Sequence, residues 1–439
     1  MRIHIVTIIA IGEILLSPLA GVASSLELTP EQQLGRRLYG DRNLSLNRNQ
    51  ACETCHSLKP VPGGLPVVGF VDPDNVRNGT PVSDGSFPTR FGKLNSPSAG
   101  YAAFSPFFHF DSEEGLFVGG QFWNGRSPTL AKQAENPFLN PVEMAMPSRW
   151  AVVSRLLEDP AYVKAFRELY GLRLLSISPW HPRVSDRLPT PPGVDEVYER
   201  MARAIGEFEK SRLFNKFNSK FDYVLAGMTS LSPLEAEGQA LFDGKARCNL
   251  CHVSEPGIAP DGSVLPPLFT DFTYDNLGVG QNVLIPGNPQ PDPGLAGNPT
   301  VAGLGKAVAD GELGKHKVMS LRNIAVTAPY AHNGIFRDLQ SITRFYNRRD
   351  WALEGRNGMY TCADNTDPNF GSLCFPEPEF GQTMNTDELG DLGLTESEEQ
   401  ALIAFMKTLT DDYPQWGQDP AVPPGTPPPF AGTPLPPSP

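Results

Sequence analysis

Two cysteines three residues apart, followed at once by a histidine, occur twice in this chain: Cys52, Cys55 and His56 in ACETCH, and Cys248, Cys251 and His252 in CNLCH. On a helix, positions i and i+3 share a face and i+4 lies beside them. Two thiols placed this way can add to the two vinyl groups of a haem. The adjacent imidazole then falls under the iron as an axial ligand, which is the attachment signal of c-type haem. A CxxC redox pair or a split zinc site uses similar residues. Two copies in an internally repeated chain weigh against both. The expectation is two covalently bound haems c, each serving as the core of a small, loop-rich domain.

The elements that position these motifs are also repeated. Thr29-Pro30-Glu31-Gln32 and Ser232-Pro233-Leu234-Glu235 each read as a helix start with a capping box. Gly35 then matches Gly238, Leu38 matches Leu241, and Tyr39 matches Phe242. Each half ends on an amphipathic pattern, at 197–213 with Met201, Ile205 and Phe208, and at 395–409 with Leu402, Phe405, Met406 and Leu409. The fold class expected is mainly α, with two cytochrome c-like domains with long loops, at 24–215 and 216–416. The proline-rich residues 417–439 lack periodicity and read as an extended, poorly ordered tail. The 45 prolines and 42 glycines agree with many loops and few long elements.

Charge and targeting bound the setting. A net charge of −13 among 439 residues argues against nucleic-acid binding, because nothing neutralises phosphates. Arg2, an apolar run from Ile5 to Leu16 and the small residues Gly21, Val22 and Ala23 read as a signal peptide, residues 1–23. No other segment is apolar enough to span a bilayer, so a periplasmic protein is expected. In that oxidising compartment the two cysteines outside the motifs, Cys362 and Cys374, are expected to form a disulfide.

The sixth ligand of each iron separates an electron carrier from an enzyme. The histidines outside the motifs are His4, His109, His181, His316 and His332. His109, in the aromatic stretch FSPFFHF, is the candidate nearest the first haem in sequence; its other reading is packing on an aromatic surface.

Two long stretches, FWNGRSPTLAKQAENPFLNPVEM (Phe122 to Met144) and SLRNIAVTAPYAHNGIFRDLQSITRFY (Ser320 to Tyr346), resemble the bacterial di-haem cytochrome c peroxidase and MauG superfamily. The resemblance runs from the Thr29 helix to about Leu409. It implies that Tyr346 occupies the slot where ordinary peroxidases carry a haem-ligating methionine, as in the MauG-like branch. Met319 is the alternative ligand, at a spacing that does not fit the slot. The resemblance places Gln133, Pro137 and Glu143 on the distal side of the first haem. The histidine that caps this haem in many resting peroxidases has no counterpart between His56 and His109, so the first haem is expected to stay open.

A carboxylate over the iron can carry a proton from the near to the far oxygen of peroxide, the role given to Glu143. Its alternative is a helix-start glutamate bonded to backbone amides. Gln133 would hydrogen-bond bound oxygen, or be a solvated helix residue. Trp123 resembles the tryptophan that relays holes between the haems; a packing tryptophan is the other reading. Asn95, Thr327 and Pro329 match positions that bind one calcium ion between the domains in relatives.

The function implied is use of hydrogen peroxide to build a high-valent two-haem iron(IV) state that oxidises aromatic residues, above all tryptophan, of a partner periplasmic protein. The alternatives are an ordinary peroxidase fed by a small cytochrome or copper protein, and a non-catalytic electron-transfer cytochrome. The tryptophan that stands two residues before the second CxxCH in MauG-type relatives is Ala246 here. The exit route therefore differs, with Trp150, Trp180, Trp351 and Trp416 as unranked candidates.

Overall fold

The computed structural model describes residues 27–435 apart from 62–63, 184 and 260. The signal-peptide expectation lies outside them. The described residues are mainly helical, with four two-stranded ribbons and no strand longer than three residues among them.

The first repeat opens on the helix Pro30–Tyr39, capped by Thr29 and Gln32 as its sequence predicts. It packs across the closing helix Val194–Glu209. At the crossing a Cβ on Gly35 would fall 1.9 Å from the Ala204 carbonyl oxygen, so only glycine allows so close an approach. The second repeat copies this. Helix Pro233–Asp243, capped by Ser232 and Glu235, crosses helix Glu396–Lys407, and a Cβ on Gly238 would fall 1.9 Å from the Ala401 carbonyl. Beneath each crossing lies an aromatic core: Tyr39, Phe70, Phe208 and Phe214 in one half, Phe221, Phe242, Phe269 and Phe405 in the other.

The closing helix of the first half begins at Val194 rather than 197. Gly193 supplies the left-handed turn before it, and Asp195 and Glu196 suit the positive end of its dipole. The first CxxCH forms a single α-turn, Cys52–Cys55, but the second is a 3₁₀ turn over Cys248–Leu250. Both keep the amide of the histidine on the carbonyl of the first cysteine, at 2.9 and 2.8 Å, and so preserve the i to i+4 relation.

The two halves interlock. Arg322 pairs bidentately with Asp222 at 2.9 Å, both side chains fully buried, and lies against the rings of Tyr101 and Phe217. Tyr101 donates in turn to Asp411 at 2.8 Å. Cys362 and Cys374 form the expected disulfide, tying strand Tyr360–Cys362 to strand Cys374–Pro376.

The expectation of a poorly ordered tail at 417–439 is corrected for residues 417–435. Val422 is fully buried beside Tyr223 and Tyr413. Tyr223 donates to the carbonyls of Thr426 and Pro427, and Arg212 donates to that of Thr433. A proline-rich chain has few N–H groups to satisfy and presents free carbonyls, so donors on the body can hold it without any periodic pattern.

Candidate functional site

A continuous cavity of about 880 Å³ runs through the junction of the halves. Cys52, Cys55 and His56 wall one part of it; Cys248, Cys251, His252 and Tyr346 wall another. None of the four motif cysteines is in a disulfide. Burial pushes the thiols of Cys55, Cys248 and Cys251 up to about 12, and that of Cys52 higher still.

The two histidines are held alike. Nδ1 of His56 faces the carbonyl oxygen of Phe70 at 3.3 Å, and Nδ1 of His252 faces that of Phe269 at 2.9 Å. Both phenylalanines are in left-handed backbone conformation and fully buried. A carbonyl accepts only from a protonated Nδ1, which leaves Nε2 with the lone pair a metal needs. Burial also holds both imidazoles neutral, with His252 lowered to about 4. Paired thiols, a neutral imidazole beside each pair and an enclosed cavity joining them fit two covalently attached haems.

On the His56 side, Gln133 and Pro137 lie one turn apart on helix Leu130–Leu139 and both reach the cavity. The chain then folds back, with the amide of Met144 on the carbonyl of Pro137 at 3.1 Å, and this brings Glu143 to the same wall. Glu143 lies in a turn, not at a helix start, and its Oε1 accepts from Nδ2 of Asn140 at 2.7 Å. Burial raises its pKa; Asn140 and the Arg126 guanidinium oppose that. The result is a carboxyl that can hold or release a proton within the cavity.

Trp123 also borders the cavity, and its Nε1 donates to the carbonyl of Asn95 at 2.9 Å. Asn95, Thr327 and Pro329 border the same cavity. The amide of Asn95 binds the carbonyl of His332 across the junction at 2.8 Å. Tyr346, on helix Leu339–Leu353, has no hydrogen bond to its hydroxyl among the described residues. Met319 also reaches the cavity wall. His109 does not: it sits exposed on a hairpin with Nδ1 on the carbonyl of Phe107. That hairpin turns its side chain to solvent, so the structure does not support it as a ligand.

Three features escaped the sequence reading. His316 stacks on His332 with ring centres 3.7 Å apart and stands edge-on to Trp123 at 6.3 Å. Lys317 is buried beside them and lowered to about 7 by desolvation. No local pattern marks these contacts, because they join distant segments. The third was legible. The repeat aligns Glu209 with Met406, so the first half carries a carboxyl where the second has a thioether. Glu209 borders the cavity, its Oε2 has no hydrogen-bond partner among the described residues, and burial raises it to about 8.

A carboxyl raised in the folded state binds more protons there than in the unfolded chain, so its contribution to stability falls as pH rises from its ordinary value of 4.5 to about 8. Glu209→Gln should therefore melt increasingly above wild type as pH rises through that range, with the difference vanishing in acid. A gap independent of pH in calorimetric melting would show that Glu209 does not titrate there.

Comparison with known proteins agrees with this geometry. A family model for di-haem cytochrome c peroxidase matches residues 29–230. The methylamine utilization protein MauG of Paracoccus denitrificans is 35% identical over 406 residues, spanning 90% of this chain and 93% of that one. The chain thus belongs to the di-haem cytochrome c peroxidase family that includes MauG, and is an oxidoreductase of the two-haem-c class. Among solved structures, the diheme peroxidase BthA from Burkholderia thailandensis matches with a TM-score of 0.66 at 25% identity, over 92% of this chain and 91% of that one. A MauG-like protein associated with microbial copper homeostasis shares the fold, with a TM-score of 0.57 at 24% identity over 91% and 94% of the two chains.

Proposed function

We propose that this protein uses hydrogen peroxide in the periplasm to store two oxidising equivalents across its two haems and spends them on aromatic residues of a partner protein. In this reading Cys52 and Cys55 tether the first haem under His56, and Cys248 and Cys251 tether the second under His252. Gln133 and Pro137 shape the open face of the first haem, and Glu143 moves the proton as peroxide is split. Trp123 passes holes between the halves. Asn95, Thr327 and Pro329 hold a calcium ion at the junction.

The observation that carries the reading is Tyr346 on the cavity wall beside the second motif, with no hydrogen bond to its hydroxyl among the described residues. A phenolate ligand stabilises high iron oxidation states, whereas a thioether raises the potential. Each peroxide takes two electrons and two protons to become two waters, so both equivalents must be held until the partner supplies electrons. Met319 on the same wall favours a second reading, an ordinary peroxidase whose second haem takes electrons from a small donor protein. Stopped-flow mixing of the fully ferric protein with peroxide separates them. The proposed function predicts an immediate, long-lived change in haem absorbance without prior reduction. A strict need for reductive activation would support the second reading instead.

A further inference from the structure

The partner of each indole N–H distinguishes one tryptophan from the rest. Trp123, Trp150 and Trp416 donate to the backbone carbonyls of Asn95, Ser178 and Asp411, at 2.9, 2.7 and 2.8 Å. An amide carbonyl cannot keep a proton at neutral pH, so oxidation of these indoles stops at the cation radical. Trp180 has no indole hydrogen bond among the described residues. Trp351 instead donates to Oδ1 of Asp391 at 2.7 Å. A carboxylate is a base.

We propose that Trp351, with Asp391 as its proton acceptor, is the surface point through which oxidising equivalents leave the protein; this rests on the function proposed above. Trp351 lies five residues beyond Tyr346 on the same helix, about 7.5 Å along its axis. Both side chains pack against one apolar cluster. Trp351 is half-buried, while Asp391 is exposed to solvent. The Arg348 guanidinium lies over the indole at 5.6 Å. That charge opposes a cation radical, so electron loss must be accompanied by proton loss. Nη2 of Arg356 donates to the other Asp391 oxygen at 2.9 Å and holds the carboxylate in place.

The step balances without a further reagent. The indole gives one electron to the haem pair, already oxidised by peroxide, and its N–H proton goes to Asp391. The neutral indole radical then takes one electron from the partner, and the proton returns from Asp391. Two such cycles use the two equivalents of one peroxide.

The test uses the diferric holoprotein, hydrogen peroxide, and a reduced c-type cytochrome as an electron donor too large to enter the cavity. Trp351→Phe should slow cytochrome oxidation by at least about tenfold. Its peroxide-induced absorbance change should decay more slowly than in wild type, because the outlet is closed. Asp391→Asn keeps the indole and removes the base, so it should slow the same step. Trp416→Phe should oxidise the cytochrome as wild type does. With no donor present, peroxide should leave added oxygen, taken from water, on the Trp351 peptide by mass spectrometry. Oxygen on a different tryptophan, together with an undiminished rate in Trp351→Phe, overturns the exit and leaves the proposed function standing. A wild type that shows no peroxide-induced change overturns both.

Discussion

Glu143→Gln is expected to slow the reaction with hydrogen peroxide by about 10²–10⁴-fold, the range that general acid–base catalysis commonly supplies. Glutamine keeps the shape of the side chain and can still bond Asn140, whose Nδ2 lies 2.7 Å from Oε1 in the wild type. What it loses is the capacity to take a proton from one peroxide oxygen and give it to the other. The wild-type rate should rise with pH as this carboxyl ionises, and burial puts that rise above the ordinary glutamate range. In the variant this limb should be absent. Stopped-flow rates across pH, on protein with two haems per chain, provide the check. A variant within about threefold of wild type would remove Glu143 from the chemistry.

Tyr346→Met is expected to change the kind of chemistry as well as its rate. The substitution puts a thioether where the proposed function has a phenolate, which raises the potential of the second haem and disfavours its high oxidation states. The variant should lose the long-lived state formed from the ferric protein, acquire a need for prior reduction, and lose partner oxidation by more than about a hundredfold. Folding should survive. The Tyr346 hydroxyl has no hydrogen bond to lose among the described residues, and methionine suits the apolar cluster against which the ring packs. A redox titration with an unshifted second-haem potential would show that the ligand lies elsewhere, with Met319 the first alternative.

The oxidised character of the Cys362–Cys374 pair and the neutrality of both haem-side imidazoles follow from different causes. The first comes from backbone that brings two Cα atoms to 5.4 Å. The second comes from burial, which disfavours the charged ring; the carbonyls of Phe70 and Phe269, supplied by loops whose left-handed phenylalanines recur at matching places in both halves, set which ring nitrogen keeps the proton. The repeat thus extends past the motifs to the groups that orient them.

The sequence by itself determined what is local or repeated. Capping boxes at Thr29, Ser232 and Thr395 set helix starts because their hydrogen bonds close within four residues. CxxCH fixes two thiols and an imidazole within one turn, and the Gly35/Gly238 match marks two helix crossings. Tertiary structure alone decided what depends on distant segments meeting. It joined both motif turns to one cavity, laid His316 on His332 beside Trp123, drew the proline-rich tail onto Tyr223, and gave Trp351 a carboxylate forty residues away in sequence. Such contacts leave no periodic trace, because long-range packing is set by which surfaces exclude water together and not by neighbours along the chain.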